Sequence, residues 1–142
     1  MKPINILLVE DNEGDILLTS EALMEGRIQI TLSVVKDGWE ALIYLEKRAH
    51  YKNAESPDLI LLDVNLPKMN GHELLKNIKS NENLKQIPVI MLTTSTSEND
   101  VLMSYKNHAN CYIPKPVDVN DFLKVVASIE NFWITIVRLP PH

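Results

Sequence analysis

Short apolar runs alternate along the chain with segments in which apolar residues recur at helical spacing. Five of these runs are strand candidates: Ile4–Val9, Ile28–Val35, Leu59–Leu62, Val89–Thr93 and Cys111–Ile113. The third run and most of the fourth are apolar at every position, which is typical of strands that are covered on both faces. The pattern therefore predicts a sheet that lies between two layers of helix.

Signals for helix starts and ends lie between these strands. Asp37 stands three residues before Glu40, and Asn70 stands three residues before Glu73, the spacing of a capping box. Gly26 follows the first helical segment at a position that favours a left-handed C-cap. Apolar residues near the end of the chain predict a last helix that extends to about residue 139. The members of this stripe are Phe122, Val125, Val126, Ile129, Phe132, Trp133, Ile136 and Val137.

Five strands alternating with five helices form βαβ units. The predicted fold class is therefore α/β, a doubly wound five-stranded parallel sheet with helices on both faces. The chain has 142 residues, and single domains usually span about 100–200 residues. Because no segment has the composition of a long linker, we expect one domain over residues 1–142 and no output domain.

Composition narrows the class of protein. The net charge is −5 and the 14 basic residues are scattered, so no basic patch indicates binding to nucleic acid. No apolar stretch approaches the roughly 18 residues of a membrane span. The single cysteine, Cys111, argues against a disulfide framework and for a reducing compartment. We expect a cytoplasmic protein that binds neither nucleic acid nor a membrane.

Polar residues stand at the carboxyl ends of the predicted strands. Glu10 and Asp11 follow the first strand, Asp63 follows the third, Thr93 ends the fourth, and Lys115 comes after the fifth. Ligands of open α/β sheets bind at this edge, so we expect the five side chains to converge there. Three neighbouring carboxylates repel one another unless a cation neutralises them, and their oxygens are ligands that Mg²⁺ prefers. The set predicts phosphoryl transfer onto Asp63, with the lysine and the cation screening the phosphoryl oxygens.

Each of these residues has a simpler structural explanation when it is taken alone. An aspartate after a strand is commonly a helix cap or a turn former. A single lysine is usually a surface residue, and a threonine at this position is an ordinary strand residue. The functional interpretation depends on their joint placement at one edge of the sheet.

Four segments of the sequence resemble the receiver domain of two-component response regulators. They are Val9–Asn12, Leu62–Pro67 with Met69–Gly71, Pro88–Thr93 and Tyr112–Pro116. The resemblance extends from Ile4 to about Ile136, with 30 residues from Asp63 to Thr93 and 22 from Thr93 to Lys115. It implies the flavodoxin-like receiver fold, with strand order 2-1-3-4-5.

The resemblance also implies a phosphoacceptor and a metal site. Asp63 would accept a phosphoryl group from a sensor histidine kinase. Mg²⁺ would bind Asp11, Asp63 and the backbone carbonyl of Asn65. Glu10 stands where many receivers have aspartate, and it would act largely through water.

Other site residues take switching roles by the same resemblance. Lys115 and Thr93 would bind the phosphoryl oxygens, and the Lys115–Pro116 peptide bond would be cis. Tyr112 would turn inward as Thr93 moves toward the phosphoryl group. Two small polar residues flank the site and would permit attack by water, so that the acyl phosphate is transient: Asn65 and Ser95.

Less diagnostic segments resemble the single-domain regulators that are paired with bacterial, cyanobacterial-type phytochromes. They are the long connection Arg48–Pro57, Leu92–Ser95, Asn110–Ile113 and the terminal helix that contains Phe132 and Trp133. The implied partners are a phytochrome histidine kinase and an unidentified downstream protein. We also expect a homodimer through the fourth predicted helix, the fifth strand and the fifth helix, because three apolar residues of the last helix lie off its core stripe. They are Leu123, Ala127 and Ile134.

Two other classes of protein compete with the receiver. A Mg²⁺-dependent phosphohydrolase of the haloacid dehalogenase type also uses a strand-end aspartate as nucleophile, but it needs a second aspartate two residues later as general acid. That position is Asn65 here. A flavodoxin-like electron carrier needs a loop after the first strand that binds phosphate, and Glu10 and Asp11 would repel an anion there.

Overall fold

The computed structural model describes residues 3–26, 28–93 and 111–128. The strands are β1 (Ile4–Val9), β2 (Ile30–Val35), β3 (Leu59–Asp63), β4 (Val89–Thr93) and β5 (Cys111–Pro114). The α-helices are α1 (Glu13–Met24), α2 (Gly38–Leu45), α3 (Gly71–Ser80) and a C-terminal helix described over Val119–Ser128. A short 3₁₀ helix spans Ala49–Tyr51. Within the described ranges no helix has the length and apolar content to cross a membrane.

The five strands form one parallel sheet in the order β2-β1-β3-β4-β5, which confirms the predicted fold class and strand order. Strand β2 begins at Ile30 instead of the predicted Ile28. The reason is its register with β1, in which Ile4 pairs with Ile30. The N–H of Ile4 donates to the carbonyl of Gln29 at 3.0 Å, so residues before this point have no neighbouring strand to pair with.

Alternate residues of the central strands supply two apolar cores. One core lies between the sheet and helices α2 and α3 and includes Leu7, Leu62 and Met91. The other lies between the sheet and helix α1 with the C-terminal helix, and includes Leu8 and Leu61. The continuously apolar runs are therefore covered on both faces, as predicted.

The predicted helix starts at α2 and α3 are confirmed. The N–H of Glu40 donates to Oδ1 of Asp37 at 2.8 Å, and the N–H of Glu73 donates to Oδ1 of Asn70 at 2.9 Å. In each case a side-chain oxygen bonds a backbone N–H that the first turn of a helix leaves without an intrahelical partner.

The predicted left-handed cap at Gly26 is wrong. Helix α1 ends at Met24, and Glu25 keeps a right-handed helical conformation with φ −71° and ψ −21°. Its N–H donates to the carbonyl of Ala22 at 3.3 Å, and Gly26 does not have a positive φ. Helix α1 therefore ends with a tighter turn, in which the N–H of Glu25 bonds the carbonyl three residues earlier, and without a left-handed residue.

The C-terminal helix packs against the core as its stripe predicts, over the part that is described. Phe122 is buried, and Val125 is half-buried against the same cluster. Leu123 is also half-buried against this cluster, so only part of its side chain is accessible. The fourth predicted helix and Ile134 lie outside the described residues, as does the side chain of Ala127.

The long connection between α2 and β3 is folded against α2. The hydroxyl of Tyr51 donates to Oε1 of Glu40 at 2.5 Å, and its ring meets that of Tyr44 edge-on, with 4.9 Å between the ring centroids. Burial raises the pKa of Tyr51 to about 12, and the hydrogen bond to Glu40 adds to the shift. The connection continues to Glu55, which accepts a hydrogen bond from the side-chain amide of Asn5 at 2.7 Å.

Candidate functional site

Three carboxylates come together at the carboxyl edge of the sheet. Glu10 and Asp63 are buried, and Asp11 is exposed at the mouth of the site. One oxygen from each of the three lies within 4.8 Å of the others, and among the described residues this set alone is arranged to hold a metal ion. Clustered hard oxygen ligands of this type fit a divalent cation such as Mg²⁺.

The ammonium group of Lys115 contacts three carboxylates. Its Nζ donates to Oε1 of Glu10 and to Oδ2 of Asp15, both at 2.8 Å, and lies 3.4 Å from Oδ2 of Asp63. The backbone N–H of Lys115 donates to the carbonyl of Thr93 at 2.8 Å, and the peptide bond to Pro116 is cis. The lysine is therefore held at the sheet edge by both its backbone and its side chain.

The surroundings of Asp63 make it a weak acid. Burial raises the pKa of Asp63 to about 7, and the hydrogen bond and negative charge of Glu10 act in the same direction. The positive charge of Lys115 and the backbone N–H of Asn65 oppose the shift. Burial lowers the pKa of Lys115, but its hydrogen bonds to Asp15 and Glu10 outweigh that effect and raise it above the usual value for lysine.

The turn between β1 and α1 is closed by its own side chains. Oδ1 of Asn12 accepts the N–H of Asp15 at 2.9 Å and so caps helix α1. Oε2 of Glu10 accepts the N–H of Asn12 at 3.3 Å. These bonds fix the first turn of α1 against the end of β1, which brings Asp15 beside Lys115.

The loop between β3 and α3 folds back onto the end of β3. The N–H of Asn65 donates to Oδ1 of Asp63 at 3.3 Å, and the N–H of Gly71 donates to the carbonyl of Val64 at 2.9 Å. A Cβ atom on Gly71 would lie 2.2 Å from the carbonyl oxygen of Asp63 and 2.8 Å from Cα of Val64. Helix α3 can therefore begin this close to Asp63 only because residue 71 has no side chain. Lys68 takes the left-handed conformation at the tip of the loop, with φ 67°.

The remaining predicted site residues lie around this cluster. Thr93 is buried at the end of β4, next to β3 in the sheet. Tyr112 pairs with Met91 across β4 and β5 and is partly buried against the core under α2 and α3. Asn65 is exposed beside Asp63, and Ser95 lies outside the described residues.

Asp15 is a site residue that the sequence analysis did not single out. Asp15 does not directly follow a strand, because it belongs to the first turn of α1. A signal was nevertheless present, because Asp15 stands three residues after Asn12, the spacing between an N-cap side chain and the residue whose N–H it binds, which places Asp15 in the first turn after β1.

Comparisons with known proteins agree with this geometry. The family model of the response regulator receiver domain matches residues 6–127. Response regulator Rcp1 of Synechocystis sp. is 46% identical over 138 residues, which cover 97% of this chain and 94% of the relative. The crystal structure of the Mn²⁺-bound form of Rcp1 is similar with a TM-score of 0.77, covering 98% of this chain and 100% of that chain at 46% identity. The phosphorylated cyanobacterial phytochrome response regulator RcpA has a TM-score of 0.79, covering 94% of this chain and 96% of that chain at 46% identity.

Proposed function

Because the chain belongs to the response regulator receiver domain family, we propose that it accepts a phosphoryl group on Asp63 from a sensor histidine kinase. The observation that carries this proposal is the cluster of Glu10, Asp11 and Asp63 with the ammonium of Lys115 among them. A buried aspartate beside a fixed cation and a site for a divalent metal is suited to attack phosphorus.

The transfer exchanges one bond to phosphorus for another. An oxygen of Asp63 attacks the phosphorus of the phosphohistidine, so that an O–P bond forms while the N–P bond breaks and its electron pair stays on the imidazole. The ammonium of Lys115 and the hydroxyl of Thr93 donate hydrogen bonds to the phosphoryl oxygens and stabilise their charge. Asp63 is buried, and the phosphohistidine would approach it at the carboxyl edge of the sheet, where Asp11 is exposed.

The proposed resident cation is Mg²⁺. The side chains that would hold it are those of Glu10, Asp11 and Asp63, with the backbone carbonyl of Asn65. Bound there, it neutralises the carboxylates and the incoming phosphoryl oxygens, which lowers the barrier to attack by an anion. The fit rests on the spacing of the three carboxylates, and the Mn²⁺-bound form of the related Rcp1 supports a divalent cation at such a site.

Phosphorylation would change the surface of the molecule through two residues on neighbouring strands. A phosphoryl group adds negative charge at Asp63, which attracts the hydroxyl of Thr93. Movement of Thr93 would make room for the ring of Tyr112, which now lies partly buried against the core. Asn65 and Ser95 would admit the water that ends the phosphorylated state.

The proposed partners follow from the relatives. A phytochrome-type histidine kinase is the proposed phosphodonor, since the phytochrome response regulator RcpA resembles this chain over 94% of its length. The proposed unit of function is one receiver domain over residues 1–142, acting on an unidentified downstream protein in the cytoplasm. Phosphotransfer profiling against candidate histidine kinases identifies the donor, and transfer from a phytochrome kinase at a rate no higher than from unrelated kinases would contradict the pairing.

We also propose that the chain forms a homodimer through the region of the fourth predicted helix, β5 and the C-terminal helix. The half-buried Leu123 is the described residue offered for this contact, together with Ala127 and Ile134 farther along the chain. Light scattering over a range of protein concentrations, with and without phosphorylation, measures the assembly directly. A monomer at high protein concentration, both with and without phosphorylation, would contradict the proposed dimer.

The central test is phosphoryl labelling by a small phosphodonor in the presence of Mg²⁺. We expect one phosphoryl group per chain in the wild-type protein. We expect no label when EDTA is added before the phosphodonor, and none on Asp63→Asn. Glu82→Gln is a matched control, since Glu82 is an exposed carboxylate that pairs with Lys85 at 3.0 Å and should leave labelling unchanged. Label that survives Asp63→Asn would contradict the assignment of the acceptor.

The phosphohydrolase alternative lacks a general acid at the position where that chemistry needs one. Asn65 follows Asp63 by two residues, and an amide does not transfer a proton as a carboxylic acid does. Incubation with a panel of phosphate esters measures the difference, since an enzyme releases phosphate over many turnovers. We expect this chain to release no phosphate from such esters over repeated turnovers.

A further inference from the structure

Asp15 contacts the reactive lysine but has no assigned role in the receiver site. Its Oδ2 lies 2.8 Å from Nζ of Lys115, as close as Oε1 of Glu10 and closer than Oδ2 of Asp63 at 3.4 Å. Glu10 and Asp63 also belong to the set of carboxylates that can hold a cation, whereas Asp15 does not. Of the three carboxylates around the ammonium, Asp15 is therefore the one that can serve Lys115 alone.

We propose that Asp15 is a positioning residue that holds the ammonium of Lys115 with one N–H directed at Asp63. This inference rests on the proposed function, because the group to be stabilised is the phosphoryl group on Asp63. Asp15 would act on the transferred group through the lysine, whose Nζ it contacts at 2.8 Å.

The geometry matches the chemistry of an ammonium group. Lysine has three N–H donors on a flexible chain, and three carboxylates surround Nζ here. Two short charge-assisted hydrogen bonds, to Asp15 and Glu10, fix the position of the nitrogen. The third contact, to Oδ2 of Asp63, is longer at 3.4 Å, so the remaining N–H is the donor that we assign to the group on Asp63. Without Asp15 one of the two fixed bonds is lost, and a flexible side chain has more positions to occupy.

Asp15 is itself held firmly and is accessible from solvent. Its backbone N–H is bound to Oδ1 of Asn12 in the first turn of α1, and its side chain is 30% exposed. Substitution there leaves the backbone cap in place, and Lys115 keeps its bond to Glu10. Variants at Asp15 are therefore expected to fold.

The test compares labelling rates of wild-type protein, Asp15→Ala and Asp15→Asn with a small phosphodonor and Mg²⁺. We expect Asp15→Ala to lower the rate about tenfold, the effect of losing one hydrogen bond to a charged group. Asp15→Asn keeps an acceptor oxygen and should restore most of the rate. Glu13→Gln is the matched control, because Glu13 is an acidic residue of the same turn that pairs with Lys36. Equal rates in wild-type protein and Asp15→Ala would overturn the proposal.

A second arm asks whether Asp15 acts through the lysine. In a Lys115→Ala background, Asp15→Ala should have no further effect on the labelling rate. A tenfold loss in that background would mean that Asp15 acts by another route, such as the local charge of the site, and the proposal would be wrong.

A third arm needs neither metal nor labelling. In metal-free, unphosphorylated protein, NMR measures the exchange of the Lys115 ammonium protons with water. Two short hydrogen bonds slow that exchange, so we expect it to be severalfold faster in Asp15→Ala and close to wild type in Glu13→Gln. An unchanged rate of ammonium proton exchange in Asp15→Ala would show that Asp15 does not hold the lysine, and the proposal would be wrong. If wild-type protein took no label, the proposed function would fail, while this arm would still decide whether Asp15 holds the lysine.

Discussion

Asp63 is buried between a carboxylate and an ammonium, and these neighbours act on its charge in opposite directions. Burial and the charge of Glu10 raise the pKa of Asp63 to about 7, and Lys115 only partly offsets them. In metal-free protein the carboxyl group therefore holds its proton over a range of pH in which an exposed aspartate is ionised. A cation and a proton compete for this group near neutral pH.

The contribution of Asp63 to the stability of the metal-free protein should fall as pH rises from about 4 to about 7. The pKa of Asp63 is higher in the folded protein than its usual value of 3.8, so the folded state binds more protons in this window and loses stability as they leave. The Asp63→Asn variant has no ionisable group at this position and so lacks this dependence on pH. The full difference between 3.8 and about 7 corresponds to roughly 4 kcal/mol. Screening by water at the edge of the sheet reduces it, so above pH 7 we expect Asp63→Asn to be more stable than wild type by on the order of 1 to 3 kcal/mol.

Thermal unfolding in EDTA from about pH 4.5 to about pH 8.5, a range on both sides of the pKa of Asp63 at about 7, measures the difference between wild type and Asp63→Asn. That difference should grow with pH up to about 7 and then level off. Added Mg²⁺ should raise the Tm of wild type more at high pH than at low pH. A difference that does not change with pH would contradict the assigned pKa of Asp63.

At the level of secondary structure, features that depend on neighbouring residues could be predicted from the sequence. The caps at Asp37 and Asn70 are examples, because each side chain bonds a backbone N–H three residues later. The end of α1 was predicted wrongly at Gly26. Glycine permits a left-handed cap without requiring one, and here Glu25 makes a further right-handed turn.

Features that depend on contact between distant elements could not be predicted in this way. The bond between Asp15 and Lys115 joins residues separated by 100 positions, and it depends on how α1 lies against the end of β5. Residues that follow the strands were predictable as a cluster, because parallel strands present their carboxyl ends at one edge. The partial burial of Leu123 likewise depends on the tilt of its helix on the sheet.

Gly71→Ala should disturb both folding and the site. The added Cβ would lie 2.2 Å from the carbonyl oxygen of Asp63, which is backbone and cannot move aside as a flexible side chain can. Helix α3 or the end of β3 must shift, at a cost of about 3 kcal/mol or more. The shift moves Asp63, so labelling by a phosphodonor should slow as well.

Gly26→Ala is the matched control for this substitution. A Cβ on Gly26 would lie 3.5 Å from Cγ2 of Val119 and 3.7 Å from the carbonyl oxygen of Leu23, which are ordinary contacts. We expect a change in stability of less than about 1 kcal/mol. Urea denaturation of both variants gives the comparison. Equal stability of the two would contradict the close contact expected between a Cβ at residue 71 and the carbonyl oxygen of Asp63.

Across the whole molecule, the two apolar cores share the same strands. Leu7 and Leu62 face one core, while Leu8 and Leu61, their neighbours in the same strands, face the other. A strand cannot leave one layer without also removing residues from the other. The two layers should therefore unfold together, although the helices on the two faces of the sheet have no core in common.

Unfolding should then be a single cooperative transition, which also tests the expectation that residues 1–142 form one domain. Trp39 lies half-exposed on α2 and reports on one layer, provided that Trp133 is replaced by phenylalanine to remove its fluorescence. Far-UV circular dichroism reports on the helices of both layers. The fluorescence and dichroism curves in urea should coincide, and the calorimetric and van't Hoff enthalpies should agree. If the Trp39 signal changed at lower urea than the dichroism, the α2 face would unfold on its own, and the shared strands would not couple the layers.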